Sequence, residues 1–158
     1  MTAAAPTLAV GDVVATRTYP IERDTLVRYA GASGDFNPIH YRDDVAQSVG
    51  LPGVLAHGML TMGLAVQPVL EWLDGRGEVL EYGVRFTRPV PVPAQGSVEL
   101  KVSAAVGVLA GDGTARIDIT ARVGGQAVLG RAQVLVRLPE AASSGAGLPQ
   151  AGPSGGTG

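Results

Sequence analysis

The 158-residue chain contains no cysteine, one tryptophan, two phenylalanines, two histidines and a single lysine, Lys101. Without thiols there is no disulfide framework, no thiolate metal site and no cysteine nucleophile. An excess of one charge is missing too. Twelve basic residues against fourteen acidic ones, with no like-charge block, leave no footprint for nucleic acid or an anionic membrane surface. No apolar run approaches the roughly 20 residues needed to span a bilayer. The segment Met1 to Gly11 lacks a charged leader and a long apolar stretch, so a secretory signal is not expected. Neither G-x-x-x-x-G-K-[ST] nor a strand-linked G-x-G-x-x-G occurs, which disfavours a phosphate-cradling loop. A cytoplasmic protein without nucleic-acid or membrane partners is the expectation.

What is present suits one globular unit: 46% of the residues are hydrophobic and 16% charged. A single domain is expected over residues 1–139. Residues 140–158 are dominated by Gly, Ser, Ala and Pro, with Leu148 the only large aliphatic, and are expected to be a disordered tail. Val10 to Tyr19 reads as a first strand, and Glu22 to Ala32 as a helix with Leu26, Tyr29 and Ala30 at helical spacing. Asp43 is placed to cap a short helix through Ser48. Met59 to Leu73 is apolar around most of its circumference, which predicts an enclosed helix, and Pro68 inside it predicts a kink or an early end. Strand character follows over Val79 to Thr87, Ser97 to Leu109, Thr114 to Val123 and Gln126 to Leu138. Gly111-Asp112-Gly113 and Gly124-Gly125 supply the last hairpin turns. Helices followed by long antiparallel strands predict an α+β architecture, most economically a single hot dog fold with the sheet wrapped around the apolar helix.

Both histidines lie in glycine-marked segments. Gly34 to His40 reads G-D-F-N-P-I-H, and His57 stands in Ala56-His57-Gly58-Met59-Leu60. Asp35 and His40, five apart, cannot meet on a regular helix or strand, so they converge only across a turn. Asn37-Pro38 favours such a turn, because proline fixes its own φ and pushes the preceding residue toward extended geometry. A carboxylate beside an imidazole suits general acid/base chemistry. Gly58, at the mouth of the apolar helix, offers a backbone N–H that can stabilise negative charge on an oxygen, and together these groups suit proton abstraction next to a thioester carbonyl. Each feature also has a plainer reading: Asp35 to Pro38 as a surface Asx turn, His57 as a hydrogen-bonded structural residue, Gly58 as a helix entry. Gly31-Ala32-Ser33-Gly34-Asp35 misses the G-x-S-x-G elbow, and two histidines sixteen residues apart make a weak zinc pattern. No metal and no cofactor are expected.

Tyr29-Ala30-Gly31-Ala32-Ser33-Gly34-Asp35-Phe36-Asn37-Pro38-Ile39-His40 resembles the hydratase 2 motif of the MaoC-like (R)-specific hydratases and dehydratases. Ala56 to Gly63 is similar to that family's second block, and Val84 to Pro93 to the strand and turn after its helix. Within the family the likeness is greatest to HadB-type subunits of (3R)-hydroxyacyl-ACP dehydratase. The resemblance implies a hot dog fold and catalysis by Asp35 and His40. It implies that Asn37 supports the turn and that the Gly58 amide binds the thioester oxygen. The implied activity is that of a (3R)-hydroxyacyl-ACP dehydratase of type II fatty acid synthesis, with an (R)-specific enoyl-CoA hydratase or a non-catalytic acyl-binding subunit as alternatives. The implied partners are an acyl carrier protein or CoA thioester and a HadA-type hot dog subunit, or a second copy in a homodimer. Arg42, Arg85 and Arg88 are candidates for contact with the carrier.

Overall fold

The computed structural model describes residues 8–138, and the tail expected over 140–158 lies outside them. Strand β1 (Val13–Ile21) leads into helix α1 (Arg23–Ser33), a 3-10 turn (Pro38–His40), α2 (Asp43–Ser48) and α3 (Gly58–Leu73). The remaining strands are β2 (Glu78–Phe86), β3 (Val98–Leu109), β4 (Thr114–Val123), β5 (Gln126–Ala127) and β6 (Leu129–Arg137). All pairings are antiparallel in the order β1-β3-β4-β6-β2, with β5 pairing β4, so β1 and β2 are the edges. This is the α+β hot dog architecture, one sheet curled over one long helix.

The alternation of the strands decides which face meets that helix. Leu100, Val102, Ala104 and Val106 of β3 and Ala115, Ile117 and Ile119 of β4 are buried, joined by Val134 and Val136 of β6. They form one core with Leu60, Ala65, Val69, Trp72 and Leu73 of α3. The β4–β5 turn is built on Gly124 and Gly125, at φ 55° and 79°, two consecutive left-handed positions that favour glycine. A proline-bearing α3 would be expected to kink or stop, yet it runs on from Pro68 to Leu73 with Pro68 fully buried in its packing. No helix among the described residues is long and apolar enough to cross a membrane.

Two expectations are corrected. Asp43 does not cap α2, whose cap position is Arg42. Its carboxylate instead accepts from the Arg23 guanidinium at 2.9 Å and from the Val54 amide at 3.0 Å. The Arg23 Nε also donates to the Val92 carbonyl at 2.8 Å. A cationic fork from α1 thus outcompetes the local cap and ties α2 to the segments 53–54 and 92. Nor is α3 enclosed. Met59 is 58% exposed and Leu70 41%, with Met62 and Val66 partly so, because one curled sheet covers only one side of a helix.

Leu100, with no exposed surface, sits where β3 faces α3. Leu100→Ala is expected to cost about 2–5 kcal/mol of stability, measurable by urea unfolding; a loss under ~0.5 kcal/mol would contradict this placement of the core.

Candidate active site

Helix α1 ends at Gly34, φ 76°, whose amide bonds back to the Ala30 carbonyl at 2.9 Å. The left-handed cap turns the chain sharply, and side-chain acceptors then guide it residue by residue. Ser33 Oγ accepts the Asp35 amide at 3.2 Å, and Asp35 Oδ1 accepts the Asn37 amide at 3.1 Å. Asn37 Oδ1 accepts the Ile39 amide at 3.2 Å. Pro38, at the first position of the 3-10 turn, completes a path that returns His40 toward Asp35. One carboxylate oxygen of Asp35 is therefore spent on the turn, and the other is left for His40.

Asp35 Oδ2 and His40 Nε2 stand 3.9 Å apart, beyond direct hydrogen bonding but within reach of a shared hydroxyl or water. The far nitrogen of the ring settles the tautomer. His40 Nδ1 lies 2.7 Å from the Leu55 carbonyl, which only accepts, so in the neutral ring Nδ1 carries the proton and the Nε2 lone pair faces Asp35. The His40 side chain is 10% exposed and that of Asp35 50%, so the gap opens to solvent on the carboxylate side. Segment 54–56 is itself pinned from both flanks. Leu55 donates to Ile39 at 3.1 Å, Ala56 to Val90 at 2.9 Å, and Val92 to Val54 at 2.9 Å.

His57 joins the pair, which spacing alone did not reveal. Its ring stacks on that of His40 with centroids 3.8 Å apart and 23° between planes, and Tyr29 meets it edge-on at 4.9 Å. His57 Nε2 donates to the Asp35 carbonyl at 3.1 Å. Burial, reinforced by the neighbouring His40, holds the His57 pKa below the ordinary histidine value, against a smaller opposing effect of the bond to Asp35. The helical spacing of Tyr29 marked it only as a core residue, and the Leu55 carbonyl carries no sequence signal at all.

Asp35, His40 and His57 bring potential ligand atoms within 4.8 Å of one another. The set does not suit a metal as it stands. Stacked imidazoles hold their in-plane lone pairs side by side instead of converging at the roughly 2.0–2.1 Å a zinc–nitrogen bond requires. One His57 nitrogen is also committed to a carbonyl.

Gly58 opens α3, where a first-turn amide has no carbonyl partner within the helix. It lines a cavity of about 250 Å³ with Thr61, Phe86, Arg88, Val90 and Leu129. The Phe86 ring rests against it, since a Cβ at Gly58 would come 3.1 Å from Phe86 Cε1. Asp35 and His40 do not line this cavity, so the structure brings those two side chains together and sets Gly58 on the adjoining space, next in the chain to His57. Of the candidate carrier contacts, Arg42 is paired with Asp44 at 3.0 Å, while Arg88 lines the cavity and donates to the Ala127 carbonyl at 3.2 Å.

Residues 6–123 match the MaoC like domain. The chain belongs to the MaoC-like family. It is 43% identical over 68 residues to the 3-hydroxyacyl-thioester dehydratase X of Mycobacterium tuberculosis, an alignment spanning 42% of this chain and 23% of that protein. It is 31% identical over 121 residues to the 3-hydroxybutyryl-CoA dehydratase of Methylorubrum extorquens, covering 76% and 74% of the two chains. Among solved structures, a chain of the ChsH1-ChsH2 complex from Mycobacterium tuberculosis shares the fold with a TM-score of 0.73 at 20% identity, over 82% of this chain and 98% of that one. This MaoC-like chain thus spans less than a quarter of the first of these relatives and most of the other two.

The His57 shift has a definite sign. Its folded pKa lies below its unfolded one, so below the ordinary histidine range the unfolded chain binds more protons and stability falls with pH. Thermal unfolding should show Tm dropping as pH falls from about 6.5 toward the folded value, and His57→Leu should flatten that part of the profile. An unchanged slope in the variant would contradict a buried neutral His57.

Proposed function

We propose that the chain interconverts (3R)-hydroxyacyl and trans-2-enoyl thioesters by removing or adding water, and that its physiological substrate is the carrier-protein thioester of type II fatty acid synthesis. The observation that carries this reading is the 3.9 Å gap between His40 Nε2 and Asp35 Oδ2, with His40 Nδ1 committed to the Leu55 carbonyl. In dehydration, Nε2 takes the C2 proton, the C–H electron pair becomes the C2=C3 π bond, and the C3–O bond breaks. The departing hydroxyl collects a proton from the Asp35 carboxyl and leaves as water while the imidazole keeps the proton from C2, so the pair holds one transferable proton before and after. Addition of water retraces these steps. The Gly58 amide is assigned to the thioester oxygen, with the dipole of α3 behind it, where enolate charge develops. Elimination of water changes no net oxidation state, so the reaction calls for no redox cofactor.

A second reading keeps the chemistry and changes the carrier. The coverage of the 3-hydroxybutyryl-CoA dehydratase supports a CoA thioester. Turnover of matched CoA and carrier-protein substrates separates the two: preference for the carrier-protein form by at least about tenfold in kcat/KM supports the first reading, and the reverse supports the second.

Asp35→Asn and His40→Ala are each expected to lower kcat by about 10²–10⁴-fold while the protein stays folded by circular dichroism. Near-native turnover by either variant would remove the mechanism.

We assign the exposed face of α3, with Met59, Val66 and Leu70, and the open edge β2, with Leu80 and Phe86, to contact with a second hot dog subunit. That subunit is either a HadA-type partner or another copy of this chain. The ChsH1-ChsH2 complex supports the first arrangement. Sedimentation of the purified chain is expected to give a dimer, or a monomer that becomes a heterodimer when co-expressed with a hot dog subunit; a monomer active by itself would contradict the assignment.

A further inference from the structure

His57 is only 1% exposed, and its Nδ1 is buried without a hydrogen-bond partner among the described residues. Leaving a buried acceptor unsatisfied destabilises the fold, and a leucine of comparable size would avoid that. A histidine kept for packing alone would be satisfied at both nitrogens, so the reason for the imidazole lies in what its other atoms touch.

Those atoms touch every part of the proposed site. The Nε2–H holds the Asp35 backbone carbonyl at 3.1 Å, which fixes where the carboxylate leaves the chain. One ring face stacks on His40 at 3.8 Å, while Tyr29 at 4.9 Å braces His57 by an edge contact. The His57 carbonyl accepts the Thr61 amide at 3.1 Å and the Thr61 hydroxyl at 3.3 Å, closing the first turn of α3 around Gly58. Carboxylate and imidazole come from the turn after α1 and the helix-mouth amide from the start of α3, and His57 contacts or adjoins all three groups.

We infer that His57 is a positioning residue: its Nε2–H and ring face set Asp35 and His40 at their working separation and register both against the Gly58 amide. It touches no reacting atom. This inference rests on the proposed reaction, since it says how the geometry of that site is held. A flat ring with one donor edge suits the task. Leucine has no donor, and glutamine can supply the donor without the ring.

The test compares wild type, His57→Leu and His57→Gln in two measurements. Turnover of a 3-hydroxyacyl thioester is expected to show kcat lowered by about 10–100-fold in H57L with KM within roughly twofold, since displaced catalytic groups slow the chemistry more than binding. H57Q should recover part of that loss through its amide N–H. Amide hydrogen exchange, which needs no turnover, should show Asn37 and Ile39 exchanging several-fold faster in H57L than in wild type, with H57Q between them. Where H57L does not fold, His57→Phe, which keeps a ring but lacks the donor, takes its place. A folded variant with wild-type kcat, or with kcat lowered while Asn37 and Ile39 keep wild-type exchange, overturns the positioning role. Wild-type protein inactive on all thioesters overturns the proposed reaction instead, and the exchange data then still report whether His57 holds the turn.

Discussion

The bond from His40 Nδ1 to the Leu55 carbonyl, 2.7 Å long, joins the turn after α1 to the segment that leads into α3. It also fixes which ring nitrogen is basic. Because a carbonyl can only accept, the proton has one place to be, and the lone pair has one direction to face. The surrounding order protects this single contact. Leu55 is held in return by Ile39, and its neighbours Val54 and Ala56 are pinned to Val92 and Val90. The Arg23–Asp43 pair with the Val54 amide stops the same segment from sliding. Sheet and helix therefore act at a distance: they set the two ends of a short tether on which the placement of His40 beside Asp35 depends.

The site also carries costs. His57 keeps an unsatisfied buried nitrogen, and two imidazoles lie face to face, so protonation of both would place like charges at 3.8 Å. Such features tend to persist where function needs them, at the expense of stability. The apolar face of α3 and the open edge β2 are a second expense of this kind, since Met59, Leu70, Leu80 and Phe86 stay in water within one chain.

Much of this was legible in the sequence where the causes are local. Alternation along β3 and β4, the paired glycines at 124 and 125, and the apolar stretch through Leu73 each specify their element by short-range sterics or periodicity. So does the turn at Asp35 to His40, because Gly34, Asn37 and Pro38 leave few other paths. The misses are long-range. Asp43 suits a cap by its neighbours, and only folding brings Arg23 to it from twenty residues away. Pro68 reads as a kink or an early helix end, and the early end does not occur, since α3 continues to Leu73 with Pro68 buried. The break between β5 and β6 at Val128 has no local signal, since the Val128 amide goes to Ala121 and its carbonyl serves Thr87. That His57 would stack on His40 depended on where two loops meet, which no spacing encodes.

The tautomer of His40 can be read by nitrogen-15 resonance of the histidine rings, in a chain that has only two. At neutral pH a protonated Nδ1 and a pyridine-like Nε2 are expected at His40, with the opposite arrangement at His57. A His40 carrying its proton on Nε2, or averaging rapidly between the two nitrogens, would contradict this assignment.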